Sequence, residues 1–476
     1  MSILRGLCGS LGSGIRSLRF VLAGLAVLGS HPATATAQDD LNMIDTPNPT
    51  GVLRTITVDG KPFDLTNPFF ASLGTNGRSC STCHVATTGW TISPPEIQAR
   101  FKATQGLDPI FRTNDGSTSP RANVSTVAAR REAYSLLLDK GLIRVGLPIP
   151  PQAEFDLIRV DDPYQFATKK ELSLFRRPLP ATNLRFLTGV MWDGRESFAP
   201  LGTIPFLSDA TPADNAAALF ADLKHQANDA TTGHAQGQPL TDEQSEAIAS
   251  FELNLATAQI ADRSAGRLTA RGGRGGPLLL ARQKFYVTIN DVLGADVTTG
   301  HFDSKAMTLY DAWTESRDPH RAAIARGAAL FNAKPIDITG VGGLNDDLKQ
   351  ATIPGTCTSC HDSPNVGNHS VALPIDIGLT DAAFRTDDLP LYTLRNKTTG
   401  DVRKTTDPGR AMLTGKWNDI GKFKGPVLRG LAARAPYFHN GRAADLSEVL
   451  DFYETRFSVE FTQQEREDLI AFLLAL

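Results

Sequence analysis

One pentapeptide pattern occurs twice in this chain, and the two copies use every cysteine but one. Cys80-Ser81-Thr82-Cys83-His84 and Cys357-Thr358-Ser359-Cys360-His361 both read C-x-x-C-H, which leaves only Cys8. In this pattern the two thiols form thioethers to the vinyl groups of one porphyrin, and the adjacent histidine gives the iron its proximal nitrogen. Exported dithiol redox pairs and paired C-x-x-C zinc sites are rival uses of such cysteines. The first needs a βαβ context, which neither copy has, and neither rival requires a histidine in the next position twice. The pattern therefore predicts two covalently bound haems c, one on Cys80 and Cys83 with His84, the other on Cys357 and Cys360 with His361.

Residues 1–37 read as a secretory signal peptide: Arg5, Arg16 and Arg19 precede the apolar run Phe20 to Leu28, and Ala35-Thr36-Ala37 offers a cleavage site. The run is too short to span a bilayer, and no other span follows, so the expected product is a soluble bacterial periplasmic protein. Cys8 leaves with the signal. So do three arginines and no acid, which takes the net charge from −3 to −6. No basic excess argues for nucleic acid. With 41% hydrophobic and 21% charged residues the chain has the composition of a globular protein.

Helix signals dominate. Ser93-Pro94-Pro95-Glu96 opens one helix, Ser125 to Lys140 forms another closed by Gly141, and a third runs from Thr211-Pro212 to about Ala230. Thr241 and Gln244 form a capping box that opens a long helix to about Ile260. Helices are also expected at His320 to Phe331, at Asp445 to Arg456 and from Thr462 to the end. Strand signals are confined to Arg54–Val58 and Phe155–Val160. The reading is a mainly α chain of two cytochrome c-like domains, one haem each, with extended loop insertions. Its boundaries are 38–265 for the N-terminal haem domain, 266–319 for a linker around Arg271-Gly272-Gly273-Arg274-Gly275-Gly276, and 320–476 for the C-terminal one.

Three further segments carry a resemblance. Gly421-Lys422-Phe423-Lys424-Gly425-Pro426-Val427-Leu428-Arg429 and Ala435-Pro436-Tyr437-Phe438-His439-Asn440-Gly441 lie in the second half, and Met191-Trp192-Asp193-Gly194-Arg195 in the first. With two C-x-x-C-H motifs in this order, the chain resembles the bacterial di-haem cytochrome c peroxidase and MauG family. The resemblance is specific around 78–84, 176–195 and 320–476 and thin over 90–170 and 200–300. It implies two α-helical haem domains. Hydrogen peroxide or O2 would be activated at the N-terminal haem, and the C-terminal haem would relay electrons from a partner protein or a small-molecule donor.

The resemblance also implies roles for single residues. The family's peroxidases carry a methionine ligand fourteen residues after the histidine of Pro-Tyr-Phe-His; here that position is Tyr453, and MauG-type enzymes use a tyrosine. Leu446, Val449, Leu450 and Tyr453 follow a helical spacing, so Tyr453 shares the apolar face. A phenolate on iron favours ferric and higher states. The alternative is a tyrosine whose hydroxyl is bonded at a core edge, with Met412 and Met307 as substitute ligands. Trp192 corresponds to the tryptophan between the haems, an electron relay or an interface packing residue. Arg195 pairs with a propionate or holds the Asp193-Gly194 turn, and His439 is structural. Asn183, with the carbonyls of Arg434 and Pro436, matches a calcium site, or is an ordinary turn asparagine.

At one point the chain departs from the family. The distal acid expected about twenty residues after Trp192 falls on Pro212, and Leu201 to Ala213 offers only Asp209. His225, Gln226 and His234 are the nearest candidates for a distal group, against a surface or capping role. If either histidine ligated iron, the first haem would be closed. Two other functions stay open, a non-catalytic di-haem electron carrier and a di-haem oxygenase of an organic substrate.

Overall fold

In the computed structural model the described residues are 42–197, 212–294, 301–371 and 373–476, without the side chains of 212–214. The signal segment and residues 198–211, which include Asp209, lie outside them. Among the described residues there are ten α-helices and eleven strands. The architecture is thus mixed α/β and not mainly α.

The helix signals at chain punctuation are met. Pro94–Thr104 starts with proline in its first turn, Ser135–Lys140 ends on left-handed Gly141 at φ 61°, and Gln463–Leu474 carries the Thr462/Glu465 capping box. The segment read as one helix from 125 to 140 is two, Val127–Ala133 and Ser135–Lys140, broken at Tyr134. The Thr241 helix also stops early, at Leu253. Residues Leu255–Asp262 are a strand instead, paired antiparallel with Gly51–Thr57. Leu-Ala-Thr-Ala-Gln-Ile-Ala is compatible with either state, and pairing decides it: Leu255, Ala256, Thr257, Ala258 and Gln259 are all buried.

A four-stranded antiparallel sheet runs Met43–Asn48, Gly51–Thr57, Leu255–Asp262, Gly266–Arg267. A three-stranded sheet joins the halves of the sequence, because Phe155–Asp161 pairs with Leu391–Asn396. Around the second motif the core is helical. Helices Pro319–Ala333 and Gln463–Leu474 cross so closely that a Cβ on Gly327 would lie 1.9 Å from the Asp468 carbonyl oxygen. The Arg271–Gly276 run is packed, not open: a Cβ on Gly273 would come within 2.5 Å of the Trp313 ring.

Candidate functional site

Both cysteine motifs fold into the same turn. Cys80–Thr82 and Cys357–Ser359 are single 3₁₀ turns, each closed by a capping box, Ser79 with Thr82 and Thr356 with Ser359. His84 N–H then bonds the Cys80 carbonyl at 2.9 Å and His361 N–H the Cys357 carbonyl at 3.0 Å. None of the four cysteines is in a disulfide. The His84 ring donates through Nδ1 to the Trp90 carbonyl (3.0 Å), and His361 donates through Nδ1 to the Gly367 carbonyl (2.6 Å). This fixes the tautomer and leaves Nε2 for a metal. Burial pushes His84 down to about 4 and lowers His361 as well, so both rings are neutral, as an iron ligand must be.

Each motif lines its own cavity. Cys80, Cys83 and His84 lie on one of about 140 Å³, and Cys357, Cys360 and His361 on one of about 220 Å³. Burial pushes the Cys80 and Cys357 thiols up to about 12. These are apolar slots with two thiols and a neutral imidazole on one wall, and that donor set fits a covalently attached haem in each.

The second cavity gathers most of the residues singled out from sequence. Tyr453 lines it from helix Leu446–Phe457, together with Leu446, Val449 and Leu450, which is the face the spacing predicted. Burial raises the Tyr453 phenol, with the nearby Cys360 and Cys357 thiols adding to the effect. The substitutes are elsewhere. Met412 packs with Ala153 and Phe155, and Met307 with Tyr310 and Trp313; neither is on the lining.

Trp192 is on the same lining, while its neighbour Met191 lines the first cavity, so two consecutive residues reach both. The indole Nε1 donates to the Arg177 carbonyl at 2.8 Å, and its ring meets His439 edge to face at 6.0 Å. His439 stacks on Phe423 at 4.2 Å, and burial holds its ring down at about 4. Below Trp192 lies a buried ion cluster. Arg176 reaches Asp193 Oδ2 at 2.5 Å and both oxygens of Asp407 at 2.7 and 2.9 Å. Arg195 adds a 3.3 Å contact to Asp193 and so holds the Asp193-Gly194 turn.

At the first cavity the two histidine candidates separate. His234 lines it and donates through Nδ1 to Asp115 Oδ2 at 2.5 Å; Asp115 Oδ1 accepts from Arg78 Nη1, also at 2.5 Å. His225 is not on the lining. Its Nδ1 donates to Glu196 at 2.7 Å, and its neighbour Gln226 is on the lining instead. Asn183, matched from sequence to a calcium site, is buried against strand Leu255–Asp262. Its Oδ1 accepts from Thr257 N–H at 2.9 Å and its Nδ2 donates to the Thr257 carbonyl at 2.8 Å, so the amide is spent on strand Leu255–Asp262.

Four groups on the cavities escaped the sequence reading. Arg78 and Asp115 form the buried pair just described, and Glu252 lines the first cavity at 5% exposure. A signal existed for Glu252: it continues the buried row Ser245, Ile248, Ala249 at helical spacing. On the second cavity, Lys424 is buried on the lining, and burial pushes its amine down to about 7.

No protein-family model matches the chain. Cytochrome-c peroxidase IdrP1 of Pseudomonas sp. (strain SCT) is 31% identical over 171 residues, 32% of this chain and 39% of that protein. IdrP1 of Denitromonas iodatirespirans is 30% identical over 35% of this chain and 44% of its own. Cytochrome c551 peroxidase of Nitrosomonas europaea is 31% identical over 25% and 30%. The chain thus spans less than half the length of these curated relatives. Among solved structures, a MauG-like protein associated with microbial copper homeostasis aligns over 87% of this chain and 88% of that one, at 17% identity and TM-score 0.36. No helix among the described residues is long and apolar enough to cross a membrane.

Proposed function

We propose that this chain is a distant relative of the cytochrome c peroxidase and MauG-like family and, on that premise, an exported di-haem oxidoreductase. It reduces hydrogen peroxide at the first haem and draws the electrons through the second, from a redox protein or a small-molecule donor. The observation that carries the reading is the pair of matching cavities, each walled by its own C-x-x-C-H turn, with Met191 and Trp192 between them.

Cys80, Cys83 and His84 would hold one haem; Cys357, Cys360 and His361 would hold the other, with Tyr453 on the same cavity wall as a further donor to its iron. Haem iron so held supplies redox chemistry over a potential range set by its axial ligands. Everything else falls to the polypeptide. The carbonyls of Trp90 and Gly367 keep both proximal imidazoles neutral and oriented. As a phenolate on a bound iron, Tyr453 would favour the ferric and higher states, its negative charge being stabilised by the metal itself. Trp192 divides the path between the cavities into two shorter electron steps. Its indole is fixed by the Arg177 carbonyl and is carried on a turn that the Arg176–Asp193–Asp407 cluster clamps. His234 moves protons at the first cavity, oriented by Asp115, while His225 stays on Glu196.

The deciding experiment is addition of stoichiometric peroxide to the ferric holoprotein. The reading expects optical changes at both haems; a protein whose spectrum does not move is not a peroxidase of this kind. Trp192→Phe is expected to keep both haems and slow the second haem's response to peroxide at least tenfold in stopped-flow absorbance. An unchanged rate would mean that the indole only packs the interface.

A further inference from the structure

Five of the thirteen buried side-chain atoms that find no hydrogen-bond partner among the described residues lie on one nine-residue loop, Asp362 to Ser370. They are Asp362 Oδ2, Ser363 Oγ, Asn368 Oδ1, His369 Nδ1 and Ser370 Oγ, on residues that are each at most 1% exposed. Buried polar groups are normally satisfied, so a cluster of orphans marks a place where an ion or an ordered water belongs.

The loop closes on itself. Ser363 N–H donates to the Asn368 carbonyl at 3.2 Å, and Ser370 N–H donates to Asp362 Oδ1 at 2.6 Å. Asn368 Nδ2 donates to the Phe186 carbonyl at 2.6 Å, which makes Oδ1 the free end of that amide. With its Oδ1 engaged, Asp362 keeps one lone oxygen, and this Oδ2 stands 3.4 Å from His369 Nδ1 with no hydrogen bond between them. Two ligand atoms on a tetrahedral centre with bonds of about 2.0–2.1 Å lie roughly 3.3–3.4 Å apart.

Charge and donor chemistry select a cation over a water. No Lys or Arg side chain pairs with Asp362 among the described residues; its one charged contact is His369. Burial lowers the His369 ring, but Asp362 and Asp291 outweigh it and raise the group, so the spot is negative. All five atoms offer lone pairs, one from an imidazole, one from a carboxylate and three from neutral oxygens. That mixture suits zinc or a similar divalent transition ion, whereas calcium takes oxygens alone.

We propose that Asp362 Oδ2 and His369 Nδ1 bind a divalent transition ion of the zinc class, with the Ser363 and Ser370 hydroxyls on the same loop as further oxygen donors. The loop leaves His361 directly, and its Gly367 carbonyl accepts from the His361 ring. The ion therefore braces the segment that orients the second proximal histidine, and it does so whatever reaction the haems carry out.

The test uses the di-haem holoprotein, dialysed against zinc sulfate and then against buffer. Elemental analysis should find one zinc for every two irons. X-ray absorption at the zinc edge should give nitrogen and oxygen at about 2.0–2.1 Å, the outer shells of one imidazole and no sulfur. His369→Ala and Asp362→Asn should each keep both irons and lose most of the zinc. His225→Ala should keep it; Glu196, His225 and Asp229, whose ligand atoms lie within 4.8 Å of one another, are the rival place for such an ion. Where a buried substitution prevents folding, wild type stripped with a chelator and titrated with zinc still decides, by uptake of one equivalent with the same absorption spectrum. Wild type that takes up no zinc, a shell containing sulfur, a folded His369→Ala variant that keeps its zinc, or a His225→Ala variant that loses it overturns the proposal. Each of these results leaves the peroxidase reading untouched.

Discussion

Cys357→Ser/Cys360→Ser is expected to lose the second haem and, with it, about 5 kcal/mol of folding stability. The wall that Cys357, Cys360 and His361 share with Tyr453, Leu446, Val449 and Leu450 encloses about 220 Å³. Void in a packed interior costs on the order of 24 cal/mol per Å³, so emptying it amounts to about 5 kcal/mol, a large share of a domain's stability. The cost falls on the helical core, since the wall continues into the cluster of Phe331, Leu469 and Leu473. The matching Cys80→Ser/Cys83→Ser variant should lose less, because its cavity is about 140 Å³. Mass spectrometry reads the haem lost, and urea midpoints of the two variants read the cost. A Cys357/Cys360 variant as stable as wild type would mean that no group held by those cysteines fills the cavity.

Arg176→Met should be nearly as damaging, for an electrostatic reason. Arg176 is the only cation that bridges Asp193 and Asp407 among the described residues, and all three are buried. Removing it leaves Asp193 on the longer 3.3 Å contact to Arg195 and takes from Asp407 its guanidinium partner, a loss on the order of 3–5 kcal/mol. The pH dependence separates this from lost packing. In wild type, burial alone would raise Asp193, but Arg176 and Arg195 override it and hold the group at about 2. A depressed carboxyl contributes stability that is complete above its unfolded value near 3.8 and is lost as pH falls toward 2. Without Arg176 the Asp193 carboxyl loses its main counter-charge, and the variant regains stability as pH falls and protons neutralise that group. The gap in denaturation midpoint between the proteins should therefore shrink from pH 7 to pH 4.5. A gap that stays constant would assign the loss to shape alone.

The sequence was most legible where chemistry fixes residues at short range. The C-x-x-C-H motifs led to two equivalent turns, and the spacing of Leu446, Val449, Leu450 and Tyr453 led to one face of one helix on one cavity. Caps at Gly141, Thr241 and Thr462 were local and were read where they stand. What failed was whatever depends on pairing across the chain. Leu255–Asp262 continues a helical pattern locally and becomes a strand because Gly51–Thr57, two hundred residues away, offers it hydrogen bonds. The same strand takes up the amide of Asn183, a pairing that no local pattern in the sequence announces. Glu252 and Asp115 were passed over because an acid in a helix or a turn reads as surface, and only the fold shows them buried on a cavity. Separating His234 from His225 also required three dimensions, since one follows the helix Pro212–Gly233 and the other lies within it, and only the fold shows which of them reaches the cavity.

The central claim is that the first haem is open to peroxide while the second is closed by Tyr453. Electron paramagnetic resonance of the fully ferric holoprotein, with Tyr453→Phe measured beside it, tests this most directly. The account predicts one high-spin and one low-spin haem, and a Phe variant in which only the low-spin signal changes, with both haems still attached. Two low-spin haems, or a low-spin signal that the substitution leaves untouched, would contradict it.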